Sequence, residues 1–355
     1  MEEIAESFDI RGLNLEEMEG KHILITGATG LIGRSLVELM LNWNKSSSCP
    51  IKITILVRNR EKAERIFEDF SKDNLQYCVS DICELKPVDM NVNFIIHCAS
   101  QTSSRVFVDE PVETTLIAIE GTRKILEFAK SNPVSSFVYL SSMEVYGTPA
   151  TDEKITEDYS TNLDSMKVRS CYPESKRMCE NLCVSYAVEY GIPIKVIRLT
   201  QTFGLGVEYN DGRVFAEFAR CVIEERPIIL KTKGETKRCY LHIEDAVSAI
   251  VTVLLHGKTG EAYNVANEET YCSIYEMACL VAQYCSKDKI QVIVQEDVDI
   301  SKLGYAPTLK MNLDTQKVRA LGWSAKYTLI QTYQSMISYM KKCRKSDGHE
   351  WNKII

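Results

Sequence analysis

The chain has 355 residues and a formal net charge of −7, with 45% hydrophobic and 26% charged residues, which is ordinary for a soluble globular protein. The acidic balance argues against non-specific nucleic-acid binding, and the longest apolar runs are too short to cross a bilayer. The acidic start, MEEIAESF, lacks the pattern of a secretory signal. The 13 cysteines are scattered without a Cys-x-x-Cys pair, which predicts reduced thiols in a cytoplasmic protein and no metal site.

The first motif is a glycine loop between an apolar strand and a helix. Residues 21–26 (KHILIT) predict a buried strand, and RSLVELMLNW after the loop has its apolar residues at helical spacing. A glycine pattern in this context is typical of a dinucleotide site, because the helix N-terminus offers free N–H groups and a positive dipole end to a pyrophosphate. The residues predicted to hold the dinucleotide here are Gly27, Thr29, Gly30, Leu31, Ile32 and Gly33.

Three further strand ends are candidate contacts for the same dinucleotide. The strand 51–57 runs into an Arg-Asn-Arg sequence at 58–60, where NAD-preferring folds usually place an acid and arginine suits a 2′-phosphate. The cofactor prediction is therefore NAD+ or NADP+, with a slight preference for NADP+. His97 lies within an apolar run and is predicted to be packed rather than catalytic. The predicted contacts are Arg58, Asn59, Asp81, Ile82, Ala99 and Ser100.

A hydroxyl, a carboxylate, a phenol and an ammonium mark the candidate catalytic site. The strand 136–140 leads into SSMEVYG, so Ser142 and Glu144 lie at the carboxyl end of a strand, where ligands bind in open parallel sheets. Tyr172 and Lys176 are four residues apart in a predicted helix over 172–190 and share one face of it. An ammonium one turn from a phenol favours the phenolate, so Tyr172 could act as a proton acceptor.

The alternation of strands and helices up to a sixth strand at 194–199 predicts a Rossmann-type α/β fold with a doubly wound parallel sheet. Beyond residue 203 the pattern changes to helices near 214–225, 243–256, 273–285 and 327–342 and a short strand at 228–230. This indicates a smaller C-terminal mixed α/β lobe. The predicted division is a lead-in over 1–20, a dinucleotide-binding domain over 21–203, a substrate-binding lobe over 204–345 and a tail over 346–355.

In this order, GATGLIG, Asp81, SSMEVYG and the Tyr172/Lys176 pair resemble the extended short-chain dehydrogenase/reductase family, in its nucleotide-sugar epimerase, dehydratase and decarboxylase branch. The resemblance covers roughly residues 20–340. Within the branch, RSCYPESKR at 169–177 and NDGRV at 210–214 are most similar to UDP-glucuronate decarboxylases.

The resemblance implies an enzyme that works through a transient 4-keto sugar. Tyr172 would remove the proton of the sugar 4-hydroxyl while hydride passes to the nicotinamide, and Ser142 would share a hydrogen bond with the same oxygen. Lys176 and the cationic nicotinamide ring together would lower the Tyr172 pKa. The ketone would allow loss of a C6 carboxylate, elimination of water, or return of hydride to the other face. The cofactor would therefore stay tightly bound and be recycled.

The resemblance also assigns groups to a nucleotide-diphosphate-sugar substrate. Glu144 matches a carboxylate that lies near C5 in decarboxylases and dehydratases. Arg238, and after it Arg213, are the candidates for the diphosphate, and Gln201 for the nucleotide. The long helices 111–130 and 172–190 imply a homodimer. Neither nucleic acid nor membrane insertion is expected.

Two departures from the decarboxylase pattern keep other reactions open. Met143 stands where 4,6-dehydratases carry an aspartic acid and decarboxylases a serine, and a thioether cannot donate a proton. Lys310 is the one cation near the run with which decarboxylases address the carboxylate. The alternatives are a 4-epimerase or 4,6-dehydratase. More remote are an NADPH-dependent carbonyl or keto-sugar reductase, motivated by Arg58 and Arg60, and a non-catalytic sensor, which the Tyr172/Lys176 pair disfavours.

Overall fold

The computed structural model describes residue 13, residues 15–295 and residues 308–346. The predicted lead-in over 1–20 is therefore described only at residue 13 and from residue 15 onward. The predicted tail over 346–355 lies outside the described residues, apart from the backbone of residue 346. Of the helices in the described part, none combines the length and apolar composition that crossing a membrane demands.

The described residues form thirteen strands and ten α-helices. The strands are β1 (His22–Thr26), β2 (Lys52–Val57), β3 (Leu75–Val79), β4 (Phe94–His97), β5 (Ser136–Ser142), β6 (Ile194–Leu199), β7 (Gln201–Phe203), β8 (Ile228–Leu230), β9 (Lys237–His242), β10 (Ala262–Val265), β11 (Asn267–Ser273), β12 (Val292–Val294) and β13 (Lys310–Met311). The α-helices are α1 (Leu31–Asn44), α2 (Arg60–Ile66), α3 (Val106–Asp109), α4 (Pro111–Lys130), α5 (Cys171–Tyr190), α6 (Val214–Ile223), α7 (Ile243–His256), α8 (Ile274–Leu280), α9 (Gln316–Arg319) and α10 (Leu329–Ser346).

Seven parallel strands form the main sheet, in the order β10-β6-β5-β4-β1-β2-β3. The strand order reverses between β1 and β4, and in open α/β sheets ligands bind at the carboxyl ends of the strands beside such a point. This topology confirms the predicted Rossmann-type, doubly wound α/β fold. Six of the strands follow the sequence prediction, and β10 does not, because a run of four residues carries little periodicity.

β1 shows why the strands read as continuous apolar runs. Ile23 and Ile25 lie in an apolar cluster with α1 and α7, and Leu24 lies in a second cluster with α4 and α5. Successive side chains of a strand point to opposite faces, so a strand covered by helices on both sides is apolar throughout. Each fully buried side chain of this size contributes about 1.5–3 kcal/mol, which favours one strand register strongly.

The smaller body is built on short strands around a third apolar cluster. β9 pairs with β7, β11 and β13, a separate pair joins β8 and β12, and α6, α8 and α10 pack beside them. At the centre, Phe203 stacks on Phe215 with ring centroids 4.5 Å apart and meets Tyr240 and Tyr333 edge-on. Aromatic pairs of this kind add about 0.5–1.5 kcal/mol each to the burial term.

The main sheet takes two elements from beyond the predicted boundary at residue 203. β10 pairs in parallel with β6, and Val247 and Ile250 of α7 pack in the same apolar cluster as β1. The chain therefore enters the smaller body at β7, returns to the main sheet for α7 and β10, and leaves it again. A single cut at residue 203 does not separate the two bodies, because residues 243–265 belong with the first.

Candidate active site

The glycine loop is shaped by backbone contacts that leave no room for a side chain at two of its three glycines. Gly27 has a φ of 67°, and a Cβ there would lie 2.7 Å from the Ala99 nitrogen. A Cβ on Gly33 would lie 2.3 Å from the Gly27 carbonyl oxygen. At Gly30 a Cβ would make only an ordinary contact at 3.4 Å, so the fold itself does not require glycine there. The bare backbone at Gly30 fits its predicted role, close approach of a ligand.

α1 begins directly after this loop with an uncapped N-terminus. Gly30 is the N-cap residue, no side chain bonds the first N–H groups, and the first turn carries no acidic residue. The N–H groups of Leu31, Ile32 and Gly33, with Thr29 just before the cap, thus form a site that favours an anion through both hydrogen bonding and the helix dipole. Loop and helix end together fit the pyrophosphate of a dinucleotide.

The end of β2 carries the predicted ribose contacts. β2 lies between β1 and β3, so residues 58–60 sit at the same edge of the sheet as the glycine loop. Arg58 is exposed and has no ion pair within the described ranges, whereas Arg60 is paired with Glu64 at 2.9 Å. Asn59 caps α2 by accepting the N–H of Lys62 at 2.8 Å. Of the two arginines, Arg58 is therefore the one open to a ligand.

The other two strand ends complete this edge. Asp81 is the N-cap of a 3-10 turn after β3, and Ile82 in that turn packs against α4. After β4, the Ala99 N–H donates to the Thr26 hydroxyl at 3.1 Å, which ties β4 to β1, and the Ser100 hydroxyl donates to a neighbouring carbonyl at 3.3 Å. The structure therefore brings the predicted dinucleotide residues to one edge of the sheet.

His97 is a packed residue, as the sequence predicts. Its two ring nitrogens are hydrogen-bonded to Thr26 at 2.7 Å and Thr122 at 3.2 Å. Burial, followed by the charge of Lys176, lowers the pKa of His97 to about 3, so the ring is neutral at physiological pH.

The four predicted catalytic residues come from two elements that pack together, the end of β5 and the start of α5. The Ser142 hydroxyl caps a 3-10 turn by accepting the Glu144 N–H at 3.2 Å, and it acts to lower the pKa of Tyr172. Tyr172 and Lys176 are both buried. Lys176 Nζ donates to the Leu140 carbonyl at 2.8 Å. Hydroxyl, phenol and ammonium thus meet beneath the carboxyl end of β5.

Burial dominates the ionisation of this pair. Loss of hydration raises the pKa of Tyr172 above its ordinary value, and Glu144 raises it further, while Ser142 and Arg169 act in the opposite direction. Burial also lowers the pKa of Lys176 to about 8. The expectation that Lys176 and the cationic nicotinamide ring together lower the Tyr172 pKa stays a prediction, because burial is the dominant influence among the chain's own groups. The Lys176 ammonium donates to the Leu140 carbonyl and lies 5.9 Å from the centre of the Tyr172 ring.

An aromatic ring that sequence reasoning missed completes the site. Phe107 of α3 stacks on Tyr172 with centroids 4.3 Å apart and planes 11° apart. On Phe107 lies the guanidinium of Arg169, 4.8 Å from the ring centre, and Arg169 Nη2 donates to the Glu144 carboxylate at 3.0 Å. No motif marks Phe107, and only the tertiary fold brings α3 to α5.

Two of the predicted substrate residues carry buried polar atoms that have no partner in the described part of the chain. β7 and β9 pair in parallel with Gln201 opposite Tyr240, so Gln201 and Arg238 share a face. Gln201 Oε1 and Arg238 Nε are buried and have no hydrogen-bond partner in the described part of the chain. An unpaired buried polar atom costs about 1–3 kcal/mol, so a ligand that supplies a partner recovers that energy.

Arg213, the other diphosphate candidate, already has a partner. Its Nε donates to both oxygens of Asp211 at 3.0 and 3.1 Å, and its Nη2 donates at 2.5 Å. A phosphate would have to share this cation with the carboxylate. Arg238 is the better placed of the two.

The two departures noted in the sequence have structural counterparts. Met143 is buried in an apolar cluster, and its sulfur accepts the Thr200 hydroxyl at 3.3 Å. Lys310 is ion-paired with Asp152 at 2.5 Å. Met143 is therefore a core residue, and the charge of Lys310 is already neutralised.

The thirteen cysteines all lie in the described part of the chain and are free thiols. Cys179, Cys183 and Cys239 are buried and act as small apolar residues. Among the described residues, no three His, Cys, Asp or Glu side chains cluster as metal ligands would.

Solved structures with this fold are found at low sequence identity. A UDP-N-acetylglucosamine 4-epimerase from Methanobrevibacter ruminantium has a TM-score of 0.78 and 17% identity, covering 92% of this chain and 100% of that one. A UDP-glucuronic acid 4-epimerase from Bacillus cereus, in complex with UDP-glucuronic acid and NAD, has a TM-score of 0.75 and 20% identity, covering 91% and 99%. A dTDP-glucose 4,6-dehydratase from Bacillus anthracis, in complex with NAD, has a TM-score of 0.73 and 21% identity, covering 92% of this chain and 98% of that one.

Similar sequences include several UDP-glucuronic acid decarboxylases. UDP-glucuronic acid decarboxylase 1 of Xenopus tropicalis is 27% identical over 332 residues, which are 92% of this chain and 74% of the relative. UDP-glucuronic acid decarboxylase 6 of Arabidopsis thaliana is 28% identical over 320 residues, which are 86% of this chain and 85% of the relative. The similarity therefore extends through both bodies of the molecule.

The model of the NAD dependent epimerase/dehydratase family matches residues 23–266, from β1 to the end of β10. The matched region includes the glycine loop and the Ser142, Tyr172 and Lys176 site. Since this family is NAD dependent, the dinucleotide that the loop fits is a nicotinamide dinucleotide. The match confirms the predicted resemblance, and the chain belongs to the NAD dependent epimerase/dehydratase family.

Proposed function

We propose that this protein decarboxylates UDP-glucuronate through a 4-keto sugar, with its nicotinamide cofactor recycled in the site. The observation that carries the proposal is the meeting of Ser142, Tyr172 and Lys176 at the end of β5, with the Glu144 carboxylate fixed beside them by Arg169. The UDP-glucuronic acid decarboxylases among the similar sequences support the choice of substrate.

The residues divide into those that hold the cofactor and those that move protons. The loop 27–33 and the uncapped end of α1 would hold the pyrophosphate, with Arg58 and Asp81 at the adenosine end. The dinucleotide held there would supply a reversible hydride acceptor for C4 of the sugar. Tyr172 Oη takes the proton of the 4-hydroxyl, Ser142 bonds the same oxygen, and the 4-ketone that forms weakens the C5–C6 bond of the carboxylate.

Two electrostatic features shape this sequence of steps. The raised pKa of Tyr172 means that its phenol must first lose a proton, so the rate should increase with pH until Lys176, whose pKa is about 8, loses its charge. After the C5–C6 bond breaks and CO₂ leaves, C5 needs a proton. Glu144 is the residue that we assign to orienting its delivery, because Arg169 fixes that carboxylate beside Tyr172.

A second candidate reaction is 4-epimerisation. It is favoured by one observation: Lys310, the cation predicted to address the sugar carboxylate, is neutralised by Asp152. A site without a free cation there would accept a neutral sugar. Dehydration is less well supported, since Met143 is packed in the core and cannot act as an acid.

The test is incubation of the purified protein with UDP-glucuronate without added reductant, followed by NMR of the products. Release of CO₂ with a UDP-pentose supports the proposal, and a UDP-hexuronate epimer supports the second candidate. Consumption of NADPH in proportion to product would indicate a reductase. Tyr172→Phe should abolish turnover, and Tyr186→Phe, on the same helix, is the matched control. Absence of turnover with any nucleotide sugar refutes the assignment.

For the cofactor we propose NADP+ rather than NAD+, because Arg58 is exposed and free of ion pairs within the described ranges. A charge-assisted contact to the 2′-phosphate contributes about 1.5–3 kcal/mol, so Arg58→Ala should weaken NADP+ binding roughly 10- to 100-fold and leave NAD+ binding unchanged. Arg60→Ala is the control, because Arg60 is paired with Glu64. Retention of NAD+ alone by the purified protein, shown by mass spectrometry, would refute this preference.

We also propose a homodimer formed through α4 and α5, which pack side by side. Val112 and Leu116 on α4 and Met178 and Val188 on α5 are exposed apolar side chains, the last with 83% of its surface accessible. Val188→Lys should shift the mass measured by light scattering toward the monomer. Ile229→Lys, at an exposed isoleucine of β8 in the smaller body, should not, and a monomeric wild type would rule the dimer out.

A cytoplasmic location completes the proposal. The thirteen free thiols support it, because such thiols persist in a reducing compartment. Fractionation of the source cells with an antibody to the protein tests it, and recovery from an oxidising compartment would contradict it.

A further inference from the structure

A buried ion pair lies directly beneath the catalytic residues, between Glu180 of α5 and Arg198 of β6. Given the proposed function, on which this inference rests, we propose that Glu180, Arg198 and Tyr146 are positioning residues. Together they hold α5 in register with the end of β5 and maintain the positive charge of Lys176.

The carboxylate of Glu180 is fully engaged. Arg198 Nη2 donates to it at 2.7 Å and Arg198 Nε at 3.1 and 3.2 Å, and the Ser141 hydroxyl donates at 2.5 Å. The side chains of Arg198 and Glu180 are only 15% and 12% exposed. A single carboxylate therefore joins α5 to both β5 and β6.

The third nitrogen of Arg198 extends the network to the loop that follows β5. Nη1 donates to the Tyr146 hydroxyl at 3.0 Å and to the Glu157 carbonyl at 2.7 Å. Tyr146 in turn donates to Asn264 Oδ1 of β10 at 2.6 Å. The network thus runs from α5 through β6 and the 3-10 turn after β5 to the edge strand of the sheet.

Ser141, Tyr146 and Glu180 of this network are close neighbours of catalytic candidates in sequence. Ser141 precedes Ser142, and Tyr146 shares a 3-10 turn with Glu144. Glu180 is one helical turn beyond Lys176, on the same face of α5. A displacement at any of these contacts would move a catalytic side chain, so the network fixes the distance between the two halves of the site.

Stability alone does not explain why this network is charged. A buried ion pair is weak evidence for stability, because the loss of hydration of two charges offsets their attraction. Apolar side chains of similar volume could join the same strands and helix. Apolar contacts, however, do not fix the orientation of the groups that they join. The planar guanidinium donates hydrogen bonds through all three nitrogens, so its neighbours must keep one relative orientation.

Glu180 also acts on Lys176 through its charge. Burial lowers the pKa of Lys176 to about 8, and the thiols of Cys179, Cys98 and Cys183 and the carboxylate of Glu180 act in the opposite direction. The other groups facing the ammonium are the Leu140 carbonyl, the Tyr139 ring at 4.8 Å, neutral His97 and the Tyr172 phenol. Glu180 is the one carboxylate among the groups that act on the pKa of Lys176.

The experiment titrates Lys176 by ¹³C NMR of the full-length protein labelled at lysine Cε, with the Lys176 signal assigned from a Lys176→Met variant. In Glu180→Gln, the titration midpoint of Lys176 should fall by about one pH unit, because a carboxylate one turn away no longer favours the ammonium. An unchanged midpoint overturns the electrostatic part of the inference. No substrate is needed, so this result is independent of the proposed function.

The positioning part is tested by kinetics on the sugar nucleotide that the wild type converts. Tyr146→Phe removes two hydrogen bonds of the network, from Arg198 and to Asn264, without touching a charge, and should lower kcat about tenfold with little change in KM. In Glu180→Gln, the loss of activity at alkaline pH should begin about one unit lower than in the wild type. Wild-type kcat in both variants overturns the inference. A shifted Lys176 midpoint in a protein that converts no sugar nucleotide refutes the proposed function and leaves the electrostatic role of Glu180 supported.

Two further variants guard against simple loss of folding. Glu180→Gln leaves Arg198 buried without its partner, so the double variant Glu180→Leu/Arg198→Met, which removes both charges, carries the same tests if the single variant does not fold. The matched control is Glu38→Gln, which breaks the pair between Glu38 and Arg34 on α1, where the carboxylate is also mostly buried. Glu38→Gln should lose stability with an unchanged Lys176 midpoint, and an equal shift there would overturn the inference.

Discussion

Substitution of Gly33 by alanine tests the shape of the dinucleotide loop most directly. The new Cβ would lie 2.3 Å from the Gly27 carbonyl oxygen, 2.8 Å from its carbon and 2.9 Å from the Ala28 Cα. All three are backbone atoms, so α1 must move outward by about 1 Å to restore a normal contact. Such overpacking costs about 1–3 kcal/mol, which lowers Tm by ~1–4 °C in a chain of this length. Displacing the helix end should also remove at least one N–H bond to a phosphate, worth about 1.5–3 kcal/mol, or roughly 10- to 100-fold in Kd.

Calorimetry measures both quantities, by heating the protein and by titrating it with the dinucleotide. The matched control is Gly212→Ala, since no atom lies within 4 Å of the Cβ that it would introduce and its φ is not positive. That variant should keep the wild-type Tm and cofactor affinity. Wild-type affinity in Gly33→Ala would show that close packing of α1 on the loop does not set the cofactor site.

Three other substitutions test features of the two bodies. Arg238→Met should raise the KM of the nucleotide sugar about 10- to 100-fold with a smaller effect on kcat, because the buried Nε would lose a ligand contact; an unchanged KM would place the diphosphate elsewhere. Burial raises the pKa of Asp245 from 3.8 to about 6. The contribution of this residue to the free energy of unfolding is therefore complete below pH 3.8 and is lost as the pH rises through 6, a loss of up to about 3 kcal/mol. Asp245→Asn should remove that slope from urea unfolding measured between pH 4 and 7, and an unaltered slope would contradict the assignment. Tyr333→Phe removes a buried hydroxyl without a partner in the described residues and should leave stability equal or about 1 kcal/mol higher, whereas a loss above 1 kcal/mol would reveal a hidden partner for the hydroxyl.

Local sequence was sufficient for six of the seven strands of the main sheet and for choosing the candidate catalytic residues that the fold brings together. Strands β1, β2, β4, β5 and β6 are apolar on both faces, so their runs stand out from the amphipathic helices between them. The catalytic candidates also follow from local context. A strand end places Ser142, and helical spacing places Tyr172 and Lys176 on one face.

What the sequence could not reveal depends on contacts between distant segments. The ring of Phe107 reaches Tyr172 only through the packing of α3 on the start of α5. Spacing shows that an ammonium lies one turn from Tyr172, but it does not show the burial that raises the pKa of the phenol. β10 and the four-stranded sheet formed by β9 with β7, β11 and β13 were missed, because most of these strands are short and their register is set by partners elsewhere in the chain. The β9–β11 pairing is also interrupted by a bulge.

The late return of the chain to the main sheet has a consequence for its synthesis. Until β10 has been made, one edge of β6 has no partner, and Tyr146 has no Asn264 to receive its hydrogen bond. A nascent chain that stops near residue 203 therefore holds every catalytic residue and still exposes an open strand edge, which invites pairing with other chains. Chaperone binding to such intermediates should end once residue 265 has emerged, which makes the completion of the sheet a checkpoint in the assembly of the active site.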